Sequence, residues 1–219
     1  MKAVDSPWID FTLYLITDRK QTGGRNLNFV IEEALRGGVR AVQLREKDLS
    51  SKELYEMAYE LRKLTARHNA KLFINDRVDV ALAVDADGVH LGFNSLPLYR
   101  VRRIIGEKKL IGVSCHNQVQ AITAQEMGAD FITFGPIFFT PSKAPYGDPV
   151  GVEKLGEVTQ LMEIPVFALG GINKENASEV IKTGAHGIAL VSSILSAPEP
   201  RVAARSLFSL LPGMDQRVE

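Results

Sequence analysis

Short apolar or β-branched runs alternate along the whole chain with longer stretches of helical spacing. The apolar runs begin near Leu13, Arg40, Lys71, Gly88, Leu110, Asp130, Ile164 and Gly187, eight in all. Several are almost unbroken, as in Phe131-Ile132-Thr133-Phe134 and Pro165-Val166-Phe167-Ala168-Leu169. A strand with one wet face alternates polar and apolar residues; an unbroken run marks a strand buried on both faces, under helices that cover a parallel sheet. The clearest helical stretch follows Ser50, where Leu54, Met57, Leu61 and Leu64 share one face and Ser50 with Glu53 forms a capping-box pattern. A second is predicted from Asn173 as N-cap, with Ala177, Val180 and Ile181 turned inward and Gly184 marking its end.

Eight strand–helix repeats predict an α/β chain closed into a (β/α)8 TIM barrel. It is expected as a single domain over residues 1–219, with 1–10 an N-terminal extension and 212–219 a C-terminal tail. An open doubly wound sheet usually has fewer strands and a Gly-rich loop after the first, whereas Thr17-Asp18-Arg19-Lys20 follows the first strand here. Chemistry in a barrel belongs to the loops at the C-terminal strand ends. Those places are dense in polar residues: Gln43 to Lys47, Asn75-Asp76-Arg77, His90-Leu91-Gly92, Ser114 to Asn117, Gly170-Gly171 and Ser192-Ser193.

Composition narrows the partners. Lys and Arg number 26 and Asp and Glu 26, so the formal net charge is zero, and 45% of residues are apolar. Sequence-independent nucleic-acid binding needs a surplus of cations, so no nucleic acid is expected as partner. The single cysteine, Cys115, excludes a disulfide framework and suits a reducing compartment. No signal-peptide pattern opens the chain, and the apolar runs are far shorter than the ~20 residues of a membrane span. A cytoplasmic protein without membrane contact is expected, acting on small-molecule phosphates; a homo-oligomer is compatible with this composition.

Gly170-Gly171 after the seventh strand and Val191-Ser192-Ser193 after the eighth match the usual barrel phosphate site, in which loop N–H groups and a short helix N-terminus hold the anion. Arg45 and Lys47 suit a diphosphate, one as a fork donor and the other as a point charge; a salt bridge among Arg45, Glu46, Lys47 and Asp48 would use them up instead. Asn75 and Asp76 can serve Mg²⁺ or cap the following helix. His116 can be a general acid or base, or a surface cap of the next helix. Cys115 lacks a base partner and reads as a packed residue. Residues 135–151 form the longest connection, with Thr140, Ser142 and Lys143 as anion donors and Phe138, Phe139 and Tyr146 as cover, and read as a lid.

These residues resemble the thiamine phosphate synthase and thiazole tautomerase family, from residue 13 to about residue 211. The segments that carry the likeness are Gln43 to Lys47, Asn75-Asp76, Gly88 to Gly92, Gly112-Val113-Ser114, Gly135 to Phe138, Gly170-Gly171-Ile172 and Val191-Ser192. The resemblance implies an enzyme of thiamine biosynthesis, in which a hydroxymethylpyrimidine diphosphate loses pyrophosphate and a thiazole phosphate nitrogen captures the pyrimidine cation. It places Gln43, Arg45, Lys47, Asn75, Ser114 and Lys143 on the diphosphate, Asp76 on Mg²⁺, and Thr140, Ser142, Gly171, Val191 and Ser192 on the thiazole phosphate. Two departures stand out. After Gly92 the synthases carry Gln-Glu-Asp, whose Asp is a second Mg²⁺ ligand, where this chain has Phe93, Asn94 and Ser95. The segment from Pro141 to Gly147 is closer to the tautomerases, in which His116 would move a proton on a thiazole carboxylate phosphate without metal.

Overall fold

The eight apolar runs are the strands of a closed parallel barrel in sequence order: β1 (Leu13–Ile16), β2 (Ala41–Leu44), β3 (Lys71–Asn75), β4 (Gly88–Leu91), β5 (Leu110–Cys115), β6 (Phe131–Phe134), β7 (Val166–Leu169) and β8 (Gly187–Leu190), with β8 pairing back to β1. The computed structural model describes residues 9–92, 94–140 and 148–211. Strands β2, β6 and β7 start one or two residues later than the apolar pattern suggests. Pro165 has no N–H to give the ladder, but its carbonyl accepts Ile132 N at 3.0 Å. Asp130 turns out of the strand so that its carboxylate takes Ile111 N and the Arg102 guanidinium, each at 2.6 Å.

Helices α1 (Leu27–Arg36), α2 (Ser51–Arg67), α3 (Val78–Ala83), α4 (Leu98–Ile105), α5 (Gln118–Glu126), α6 (Gly151–Leu161) and α7 (Ala177–Lys182) follow β1 to β7 in turn. After β8 come a single turn, α8 (Ser192–Leu195), and then α9 (Pro200–Phe208). The capping box of α2 forms as read: Ser50 Oγ accepts Glu53 N, and Glu53 Oε2 accepts Ser50 N at 2.8 Å. Helix α7 starts later than expected. Asn173 Oδ1 accepts Glu175 N and Asn176 N, which makes a separate turn, and the helix begins at Ala177 with Asn176 in the cap position.

Each strand splits its side chains between two cores. Leu13, Leu15, Val42, Leu72, Ile74, Val89, Ile111, Ile132 and Ile188 face outward under the helices. Inward, Tyr14, Phe73, Phe131 and Phe167 meet Phe11 from below in an aromatic plug, with Phe11 and Phe167 stacked at 5.1 Å. The plug fills the barrel and leaves only its upper layer for polar groups. Gly112 makes room there: a Cβ on it would lie 2.4 Å from the Phe131 ring and 2.6 Å from His90 Nδ1.

Candidate active site

The upper rim begins at β1 and β2. Asp18 caps a 3-10 turn, Arg19–Gln21, which aims Arg19 at the loop after β2. Arg19 donates through its backbone N and Nη1 to the Glu46 carboxylate, at 3.0 and 2.9 Å, and its guanidinium forks onto Asp48 at 2.6 and 3.1 Å. Lys20 Nζ adds 2.7 Å to Asp48. Together the Arg19 guanidinium and then Lys20 hold the Asp48 carboxyl well below the usual carboxylate range. The salt bridge within residues 45–48 therefore does not form. Both acids are occupied from β1, and among the described residues no carboxylate pairs with Arg45 or Lys47. Arg45 is half-buried, with its backbone N on Thr17 Oγ1 at 2.9 Å; Lys47 is exposed.

On the adjacent strand end, Asn75 and Asp76 do not cap α3, whose cap position is Arg77 with no side-chain bond. Asp76 stands exposed in the left-handed backbone region at φ +60°. Its Oδ2 accepts Asn75 Nδ2 at 2.7 Å, and its Oδ1 accepts the hydroxyl of Ser95, which in turn accepts Gly92 N at 2.6 Å. Ser95 thus binds the carboxylate from the position at which the resemblance implies a second one. No group of three or more His, Cys, Asp or Glu gathers here among the described residues. One carboxylate, one hydroxyl and one amide oxygen are all hard donors. They fit a Mg²⁺ that keeps water and substrate phosphate as its other ligands, not a cage made by protein alone.

Below the rim runs a chain of polar side chains of which sequence reasoning named the two ends, Gln43 and Ser114, but missed the links, Tyr14, His90 and Thr133. Gln43 Nε2 donates to Tyr14 Oη at 3.1 Å, Tyr14 Oη lies 3.3 Å from His90 Nδ1, and His90 Nε2 lies 3.0 Å from Ser114 Oγ. Thr133 Oγ1 donates to Ser114 at 3.3 Å. Gln43, Tyr14, His90 and Thr133 are buried, and Ser114 reaches partly into the open. Burial, and next the charge of Arg45, push the His90 imidazole down to about 3, so it stays neutral. A signal was available: a His at the centre of an apolar strand needs polar partners inside.

The loops after β7 and β8 are tied together. Ser193 Oγ donates to Ile172 O at 2.5 Å, and Asn176 Nδ2 to Gly171 O at 3.0 Å. Ser192 is exposed and opens α8, in which Ile194 N and Leu195 N bond back to Val191 O at 3.4 and 3.0 Å while the N–H groups of the first two positions, Ser192 and Ser193, lie ahead of any intrahelical acceptor; Val191 precedes it, half-buried. Gly171, at φ +65°, is needed for a different neighbour than expected. A Cβ there would lie 2.7 Å from Phe138 Cβ and 2.7 Å from Phe139 O, so the close approach is to the base of the long loop. Thr140 is half-buried in that loop. Phe93, Ser142, Lys143 and Tyr146 lie outside the described residues.

His116 follows β5 in an exposed position, but Asn117, not His116, caps α5. Its Nδ1 donates to Gly135 O at 2.5 Å, so in the neutral ring Nε2 carries the free lone pair. Cys115 is buried under the helices, and burial pushes its thiol up to about 12, as fits a packing residue.

The family model described as thiamine monophosphate synthase matches residues 13–194. A Geobacter sulfurreducens protein provisionally named as a thiamine-phosphate synthase is 56% identical, over 93% of this chain and 96% of its own. The thiamine-phosphate synthase of Chloroflexus aurantiacus is 47% identical over 93% and 94%. Among solved structures, thiamine phosphate pyrophosphorylase from Pyrococcus furiosus superposes with a TM-score of 0.86 at 39% identity, covering 94% of this chain and 97% of that one. With its barrel and these matches in agreement, the chain belongs to the thiamine monophosphate synthase family.

Proposed function

We propose that the protein is a thiamine-phosphate synthase: a transferase that joins hydroxymethylpyrimidine diphosphate to thiazole phosphate and releases pyrophosphate. The observation that carries this reading is the pair of rim cations, Arg45 and Lys47, which have no carboxylate partner among the described residues while Arg19 takes both acids beside them. Two such cations two residues apart at one strand end suit a diphosphate, one as a fork donor and the other as a point charge. The relatives' names support the same activity.

The reaction breaks the bond between the pyrimidine methylene carbon and the diphosphate oxygen, and the bonding pair leaves with pyrophosphate. Arg45 and Lys47 stabilise the charge that develops on that oxygen, with Asn75 and Ser114 as neutral donors around it, Lys143 from the long loop, and Gln43 supporting them from beneath through Tyr14. The thiazole nitrogen lone pair then closes on the methylene carbon. Gly171, Val191 and Ser192, with Thr140 and Ser142 of the long loop, hold the thiazole phosphate against the first turn of α8. Asp76, with Ser95 and Asn75, would hold Mg²⁺, which when bound supplies further positive charge to the leaving group. No described helix is long and apolar enough to cross a membrane, and small phosphates in the cytoplasm are the fitting partners.

A second reading rests on His116. With Nδ1 fixed on Gly135 O, its Nε2 is a base poised to move a proton on a thiazole carboxylate phosphate. One assay separates the two. Wild type should form thiamine phosphate from the two substrates, with a rate that rises with Mg²⁺ and is lost to a chelator. Lys47→Ala should slow coupling at least about tenfold, since a charged hydrogen bond is worth ~1.5–3 kcal/mol. No coupling at any Mg²⁺ concentration, together with metal-independent isomerisation that His116→Asn abolishes, would transfer the assignment to the tautomerase reading.

A further inference from the structure

The buried chain from Gln43 to Ser114 crosses the barrel from β2 to β5 through β1 and β4, and its protons can be counted. Gln43 Nε2 donates to the Tyr14 oxygen. The Tyr14 hydroxyl is sealed from water, and the acceptor left for its own proton among the described residues is His90 Nδ1, at 3.3 Å. If His90 carried its proton on Nδ1, the phenol would receive two donors and bury an unmatched O–H, which costs free energy. A neutral imidazole has one N–H. It therefore sits on Nε2, 3.0 Å from Ser114 Oγ and 3.4 Å from Thr133 Oγ1. Thr133 also donates to Ser114. Both lone pairs of the Ser114 oxygen are then filled from below, and its proton is left for the rim, where Ser114 is partly exposed.

We propose that Tyr14 is a positioning residue which, through the tautomer of His90, fixes the Ser114 hydroxyl as a hydrogen-bond donor toward the bound diphosphate. Tyr14 itself lies in the aromatic plug, fully buried, with no surface open to the rim. Its oxygen is the only feature separating it from a Phe in the plug, and that oxygen sets the polarity of the chain. Without it the Nδ1 lone pair has no donor and the clash of two donors that disfavoured the Nδ1–H form is gone, so the preference for Nε2–H weakens and the form in which Nε2 accepts the Ser114 proton gains population. The inference rests on the synthase reading for its kinetic consequence, but the tautomer is a property of the resting protein.

The experiment pairs nitrogen-15 NMR of the histidine rings with kinetics. In wild type the His90 ring should show a protonated Nε2 and an unprotonated Nδ1 throughout the neutral range. Tyr14→Phe, a substitution that keeps the ring packing, should shift His90 toward the Nδ1–H form. It should also lower kcat for coupling roughly tenfold or more, with KM little changed, as expected when a donor to the transition state is turned away. Adding Tyr14→Phe to Ser114→Ala should then cost nothing further, because the two act through one proton. A protonated Nδ1 in wild type overturns the proposal without recourse to any variant. So does an unchanged tautomer in Tyr14→Phe, or a loss that adds in full to that of Ser114→Ala. If wild type shows the Nε2–H form but catalyses no coupling, the synthase reading fails and the donor geometry of Ser114 stands.

Discussion

His90 has no contact with water, and its imidazole is pushed down to about 3, first by burial and then by the charge of Arg45. In the unfolded chain a histidine titrates near 6.5. Between about pH 6.5 and pH 3 the unfolded state therefore binds a proton that the folded state refuses. Stability from this residue is present above pH 6.5 and is lost as pH falls, at roughly 1.4 kcal/mol per pH unit. His90→Gln removes that proton from the balance, whatever its cost at neutral pH. Urea midpoints measured from pH 7 down to 4.5 should fall less steeply in the variant, by one proton's worth; parallel curves would mean that His90 is protonated inside the barrel. At the same scale the structure redirects a natural test of the phosphate loop. Gly171→Val would strike Phe138 and Phe139 before it met any ligand, so weakened binding in that variant reports on the long loop first. Lys47→Ala carries no such ambiguity, since the side chain is exposed and has no carboxylate partner among the described residues.

Helix α8 is a single turn, too short to hold itself, and its stability comes from neighbours. Arg25, from the loop after β1, supplies much of it. Its Nη2 donates to Leu195 O at 2.7 Å, its Nη1 to Ala197 O and Pro198 O at 2.7 and 3.0 Å, and its Nε to Thr22 O at 2.7 Å. The guanidinium thus gathers carbonyls at the C-terminal end of α8 while the opposite end faces the rim. Arg25→Ala should cost about 1.5–3 kcal/mol of stability, the worth of hydrogen bonds to a charged group. It should also weaken thiazole phosphate binding, because the first turn of α8 is no longer held in place. Arg25→Lys should recover only part of either, since an ammonium cannot fork across several carbonyls. Thermal melts and calorimetric titration check both, and a destabilised Arg25→Ala that binds thiazole phosphate at wild-type affinity would remove α8 from the phosphate site. The capping box of α2 was legible in sequence because Ser50 and Glu53 are three residues apart. The Arg25 clamp was not, because its partners lie some 170 residues away and only the closed barrel makes them neighbours.

The whole barrel depends on its aromatic plug. Phe131 is fully buried and touches Phe11, Tyr14, Phe73, Phe167 and the His90 ring, so it joins strands from every side of the interior. Phe131→Ala should lower stability by about 3–5 kcal/mol, the usual cost of an emptied aromatic site in a core. Unfolding should remain one transition by both fluorescence and circular dichroism, because no strand has an interior of its own; two separated transitions would mean that part of the barrel stands alone. The sequence by itself determined the eight strands, the helices between them and the rim on which the polar residues gather. Those features rest on local periodicity, caps and unbroken apolar runs, which a chain carries in its order. It also carried Arg45, Lys47, Asn75 and Asp76 as candidates, but with two outcomes open at each. The tertiary structure narrowed them: Arg19, 27 and 29 residues away, takes Glu46 and Asp48, so among the described residues no carboxylate is left to pair with Arg45 or Lys47, and the cap position of α3 is Arg77, not Asn75 or Asp76. It also turned the His90 of an apolar strand into the centre of a hydrogen-bonded chain. Ion pairs and buried hydrogen bonds depend on which groups closure of the barrel brings within about 3 Å of one another, and that distance is not written in any local pattern.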